Sequence, residues 1–210
     1  MKKFLLLCAA ALMFVTSCEK DPIPDIPGEE EPKPYVPAER IDNRIALAYV
    51  TYWGTRIPDT RLITHISYAF AELYVTNGVY QGFKLQGKEE RFRQIASLKN
   101  SAPHLKVLIA FTHIVDNPDN SQGCSFSAMA STDAGRKAFA SDCKAFLEKW
   151  NIDGVDIDWE FPGLSWSGAA SNPAIDTYNF TLLMKELRET LGTGYILTYA
   201  GYVKDKVAVT

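Results

Sequence analysis

Residues 150–163 read WNIDGVDIDWEFPG. Asp156, Asp158 and Glu160 occupy every second position, and Val155, Ile157 and Trp159 fill the positions between. A β-strand has a period of two, so this alternation puts three carboxyl groups on one face and three apolar side chains on the other. Crowded carboxylates repel, and partial burial disfavours their charged form, so at least one of these pKa values is expected to rise. Such a row is costly as a scaffold and useful as acid–base machinery. The residues alone leave two other readings open. Three hard oxygen ligands suit calcium or magnesium, and a solvated strand carries three acids harmlessly. An apolar opposite face between two helical segments argues against the solvated strand. The favoured reading is a catalytic row with no metal and no cofactor.

Outward from this segment, strands and helices alternate. Strand candidates are Arg44 to Trp53 (RIALAYVTYW), Thr64 to Phe70 (THISYAF), Lys106 to Phe111 (KVLIAF), Asp153 to Glu160, and Tyr195 to Ala200 (YILTYA). Between the later ones lie helical periods. Phe92, Ile95, Ala96 and Leu98 fit one face. Phe139, Cys143, Phe146, Leu147 and Trp150 form a stripe on a helix that starts near Ser131 to Asp133. Leu182, Leu183 and Leu187 mark another helix, with Lys185, Glu186, Arg188 and Glu189 on its wet side. Repeated β–α units predict an α/β fold with a parallel sheet.

Asp153-x-x-Asp156-x-Asp158-x-Glu160 resembles the DxxDxDxE signature of family-18 glycoside hydrolases, the chitinases and their relatives. The continuation Trp159-Glu160-Phe161-Pro162-Gly163 is similar to the chitinase branch rather than the endo-β-N-acetylglucosaminidases that act on glycoprotein glycans, which stand as an alternative. The likeness extends over about residues 43–200, through Tyr52-Trp53-Gly54, Tyr68-Ala69-Phe70 and NFTLLMKELRETLG at 179–192. It implies a (β/α)8 TIM barrel with its site at the C-terminal ends of the strands. It implies that Glu160 is the general acid, and that Asp158 orients the substrate's N-acetyl group and shares a proton with Asp156. The acetamido oxygen then acts as nucleophile, with retention of configuration. The implied substrates are β-1,4-linked N-acetylglucosamine glycans such as chitin. Asp153, out of phase with the row, and Gly154 are read as structural members of the motif. Tyr49 and Phe70 match aromatic positions of the sugar-binding floor, although both also suit ordinary barrel core. Trp166, in the loop after the fourth strand, is a candidate to stack on a sugar ring.

Two departures accompany the likeness. A Ser-x-Gly-Gly motif is expected at the end of the third strand, where Ala110, Phe111, Thr112 and His113 stand. The added bulk is expected to alter the floor beside Asp156. A full barrel takes about 250 residues, and this chain has 210 in all. The expectation is therefore an incomplete barrel of about strands one to five over residues 43–210. A non-catalytic glycan-binding protein, or an inactive fragment of an enzyme, is the rival reading.

The chain's start has a different character. Lys2 and Lys3 precede an apolar run from Phe4 to Val15, too short to span a bilayer and suited to a secretory signal. Val15-Thr16-Ser17-Cys18 resembles a bacterial lipobox, which implies a signal peptide over 1–17 and lipidation of Cys18. Glu19 in the next position resembles lipoproteins sorted to an outer membrane, at the cell surface or the periplasmic face. Six of the 11 prolines and eight acids then fall within 19–42, so residues 18–42 read as an extended tether. The partners expected are an N-acetylglucosamine glycan and, through the lipid, a membrane. With a net charge of −3 and no basic excess, nucleic acid is not among them. An exported domain permits a Cys124–Cys143 disulfide, while the apolar stripe around Cys143 suits a free buried thiol.

Overall fold

The computed structural model describes residues 44–121, 123–164 and 171–201. Its elements in chain order are β1 (Leu47–Thr51), β2 (His65–Thr76), β3 (Val79–Leu85), α1 (Glu89–Ala96), a 3-10 turn (Ser97–Asn100), β4 (Lys106–Thr112), α2 (Phe126–Ala130), α3 (Asp133–Trp150), β5 (Gly154–Asp158), α4 (Asp176–Leu191) and β6 (Ile196–Tyr199). Five strands run parallel in the order β1-β2-β4-β5-β6, and β3 pairs antiparallel with β2. Every parallel strand thus lies beside the preceding parallel strand of the chain. That unreversed order, with helices on one face only, is the arrangement of a (β/α)8 barrel, over five of its strands.

Alternation sorts the two faces. Ile66 and Tyr68 of β2, Val107, Ile109 and Phe111 of β4, and Val155 and Ile157 of β5 join one apolar cluster with Phe92, Phe139, Leu147, Phe180 and Leu183 from the helices. Ser67, Ala110, Asp156 and Thr198, of opposite parity, lie on the inner face. The α3 stripe packs as its spacing predicts, with Phe139, Cys143 and Leu147 buried and Phe146 and Trp150 against the core. Thr132 caps this helix, its hydroxyl accepting from the Gly135 N–H at 3.0 Å, and Asn151 closes it in the left-handed region.

Two features differ from the sequence reading, and a third, the state of the cysteines, is left open by it. The second strand continues past Phe70 to Thr76 and turns back as β3. Asn77 and Gly78, with φ of 51° and 77°, make the two-residue turn between paired Thr76 and Val79. The fourth parallel strand, β5, ends at Asp158, so Glu160 stands two residues beyond it rather than within it. Cys124 and Cys143 are both buried free thiols, and the Cys124 thiol donates to the Thr112 carbonyl at 3.1 Å.

Candidate active site

Asp156 sits at the centre of the inner face and is 2% exposed. A buried carboxylate needs donors in place of water. Three hydroxyls from three other strands supply them. Tyr49 Oη of β1 donates to Oδ2 at 2.7 Å, Ser67 Oγ of β2 donates to Oδ2 at 2.9 Å, and Thr198 Oγ1 of β6 donates to Oδ1 at 2.7 Å. Strand β4 lies between β2 and β5, and the residue it sets in register with Asp156 is Ala110, whose small side chain leaves the carboxylate room to reach across. Burial, the bond to Asp156 and the nearby charges of Asp156, Asp158 and Glu160 all push the Tyr49 phenol upward, so it stays a donor.

Asp158 is the next side chain of the row. Its carboxyl is pushed well above the ordinary carboxylate range, first by burial, then by its hydrogen bond with Glu160 and by the charges of Glu160 and Asp156. The row therefore holds a proton at Asp158 where an isolated aspartate has lost its own. Trp159, 2% exposed, anchors the chain between Asp158 and Glu160. Its indole stacks on Phe126 at 5.5 Å and meets Phe180 edge-on at 6.0 Å. The Ala69–Phe70 and Glu160–Phe161 peptide bonds are cis.

The other motif positions fall around this row. Asp153 lies at the entry to β5, away from the inner face. Burial alone would raise its pKa, but Lys99 Nζ at 2.7 Å, the Val107 N–H at 2.9 Å and Lys106 Nζ at 3.3 Å hold it below the usual value. A Cβ on Gly154 would come 2.3 Å from the Ile196 carbonyl oxygen, so β5 and β6 approach this closely only with glycine there. Tyr49 joins the row through its hydroxyl and is 51% exposed. Phe70 is half-buried at the irregularity of β2 between Ala69 and Ala71. Trp166 and Cys18 lie outside the described residues. Thr112 is in register with Asp158, and His113 Nδ1 lies 3.3 Å from the Asp158 carbonyl oxygen. The added bulk thus borders Asp158 and not, as expected from the sequence, Asp156. Among the described residues no group of His, Cys, Asp and Glu is placed to hold a metal ion.

Sequence reasoning missed Ser67 and Thr198. Each is a small hydroxyl residue between apolar or aromatic neighbours, Ile66 and Tyr68 in one case and Leu197 and Tyr199 in the other, at the parity of the inner face, and that pattern was available as a signal. Glu72, fully buried, was also missed. Apart from Gln86, the hydrogen-bond partners of its carboxylate among the described residues lie in a loop more than 40 residues away, which periodicity cannot show.

The raised Asp158 pKa has a consequence for stability. The folded state keeps a proton there that the unfolded chain releases, so this group's contribution falls as pH rises from the unfolded value toward the folded one. Asp158→Asn removes that dependence. The melting temperature of Asp158→Asn relative to the parent is expected to be higher at pH 7.5 than at pH 4 by a few degrees. An equal difference at both pH values would show that Asp158 ionises normally.

Known proteins share this architecture. Residues 45–208 match Glycosyl hydrolases family 18. The chain is 31% identical over 184 residues to Probable chitinase 2 of Drosophila melanogaster, covering 80% of this chain and 36% of that protein. It is 36% identical over 114 residues to Chitinase A1 of Niallia circulans, covering 51% of this chain and 16% of that one. Among solved structures, the chitinase domain of the spore coat protein CotE from Clostridium difficile superposes with a TM-score of 0.64 at 32% identity, covering 80% of this chain and 45% of that one. A family 18 N-acetylglucosaminidase from Paenibacillus barengoltzii gives a TM-score of 0.59 at 29% identity, covering 75% and 45%. The chain thus spans less than half the length of these relatives. With the signature row, the strand order and a family match over most of its length, the chain belongs to family 18 of the glycosyl hydrolases.

Proposed function

We propose that this chain carries the catalytic row of a hydrolase of β-1,4-linked N-acetylglucosamine glycans, chitin or its oligosaccharides. The observation that carries the proposal is the row itself: a hydroxyl-anchored Asp156 and a proton-holding Asp158 bonded to Glu160. Glu160 protonates the glycosidic oxygen as the bond from that oxygen to C1 breaks. The substrate's own acetamido oxygen attacks C1, giving an oxazolinium whose positive charge is countered by the single negative charge that Asp158 and Asp156 carry between them. The leaving sugar departs with the Glu160 proton. Glu160, now a carboxylate, takes a proton from water, which opens the ring with net retention. Asp158 orients the acetamido group, and the proton it holds keeps two crowded carboxylates from both being charged. Tyr49, Phe70 and Trp166 are proposed to line the sugar path. The matched relatives named as chitinases and as an N-acetylglucosaminidase support this substrate class, and one solved relative, a Group IV chitinase of Ostrinia furnacalis, is in complex with allosamidin.

Glu160→Gln keeps the shape of the acid and removes its proton. Turnover of a chromogenic chitobioside is expected to fall by about 10²–10⁴-fold with sugar binding retained. Turnover within tenfold of the parent would remove Glu160 from the mechanism.

The proposed domain plan is a signal peptide over 1–17, a lipidated Cys18 with a Pro- and acid-rich tether to 42, and the partial barrel over 43–210. Lipidation supports attachment to the outer membrane of a bacterium, because the tether has no amphipathic face of its own. Cys18→Ala is expected to move the protein from the membrane pellet to the soluble fraction. A Cys18→Ala protein that still pellets would overturn the anchor.

A further inference from the structure

We infer that Glu72 is a positioning residue for Asp158, acting through the loop that carries His113; the inference rests on the hydrolase reading above. Glu72 is fully buried on β2. It pairs in register with Thr112 of β4, and Thr112 pairs with Asp158 of β5. Glu72 and Asp158 therefore share one layer of the sheet, two strands apart.

The groups around Glu72 are all donors. Oε2 accepts from Gln86 Nε2 at 2.7 Å, from the Asp116 N–H at 2.7 Å and from the Asn117 N–H at 3.1 Å. Oε1 accepts from Asn120 Nδ2 at 2.9 Å. The two main-chain donors belong to the segment that follows β4, which is neither helix nor strand and has no ladder to satisfy them. Gln86 extends the hold, because its Nε2 also donates to the Ile114 carbonyl at 2.8 Å. Asn117 Nδ2 donates to the Leu85 carbonyl at 3.2 Å, and Asn120 Nδ2 to the Leu73 carbonyl at 2.9 Å. The β2–β3 hairpin is thus the bed on which residues 114–120 are fixed.

His113 is the link from this loop to the row. It lies between Thr112 and the pinned Ile114, is 9% exposed, and its Nδ1 meets the Asp158 carbonyl at 3.3 Å. A carbonyl only accepts, so Nδ1 carries the hydrogen. Glu72 fixes the loop, the loop fixes His113, and His113 holds the main chain of Asp158 at the strand end. A carboxamide cannot replace Glu72, because one of its two termini would turn a donor toward donors.

The test compares Glu72→Gln, His113→Ala and the double variant in the full chain, with chitotetraose as substrate. Glu72→Gln is expected to lower kcat by about tenfold or more, since small misplacements of reacting groups are costly, while KM moves less than about threefold. His113→Ala lowers kcat as well, and the double variant is no worse than the poorer single one, because both act along one path. Effects that multiply, or a Glu72→Gln kcat equal to the parent's, would overturn the inference. A second readout does not need turnover. The His113 Nδ1 proton is expected as a slowly exchanging imidazole signal in the proton NMR spectrum of the parent, lost in Glu72→Gln and weakened in the milder Gln86→Met. Its persistence in both variants would overturn the inference, whereas a parent that shows the signal but no hydrolysis would refute the hydrolase reading alone.

Discussion

Placing a carboxylate inside a sheet costs several kcal/mol unless donors replace its water, and Asp156 is 2% exposed at the centre of this one. The requirement reaches across the fold. Its donors, Tyr49, Ser67 and Thr198, come from β1, β2 and β6, so three strands must hold their registers for one side chain to be satisfied. Ala110 must stay small for Asp156 to reach Ser67, and Gly154 must lack a Cβ for β6 to bring Thr198 close. Asp158, next in the row, keeps its proton first through its own burial, then through its hydrogen bond with Glu160 and the Glu160 charge, with the charge of the held Asp156 adding last.

Local patterns in this chain are legible in its residues, and long-range pairings are not. The alternation at 155–160 announces a two-faced strand because charge and apolar bulk change at every step. The α3 stripe announces itself by its regular spacing. Both signals are local. The β2–β3 hairpin is also locally marked, by Asn77-Gly78 between β-rich runs, but a reading that seeks the third parallel strand directly after the second passes over it. Two of the Asp156 donors, Ser67 and Thr198, are harder to see, since a Ser or Thr between apolar neighbours looks like composition until parity is counted. Glu72 is hardest. Its meaning depends on main-chain N–H groups of a loop on the far side of β3 and α1, and no periodicity encodes that pairing.

Two buried carboxylates, Glu72 and Asp156, therefore divide the labour on the inner face. Asp156 ties strand to strand, and Glu72 ties loop to hairpin. Between Glu72 and Asp158 stand Thr112 and His113, the positions where the family resemblance leads one to expect glycines. The Thr112 side chain is 1% exposed, and its main-chain carbonyl accepts from Cys124, so the bulk there is packed and bonded rather than merely tolerated. This chain thus supports Asp158 with side chains at positions where its family resemblance predicts bare backbone.

In the proposed mechanism the substrate's acetamido group, and not water, attacks the anomeric carbon first. The anomer released at the earliest times of hydrolysis reports this directly. Proton NMR of chitotetraose mixed with the full chain should show the β-anomer of the new reducing end appearing first and mutarotating later, as two displacements at C1 require. Initial release of the α-anomer would mean a single displacement by water, and would contradict the roles of Asp158 as orienting group and of Glu160 as acid and then base.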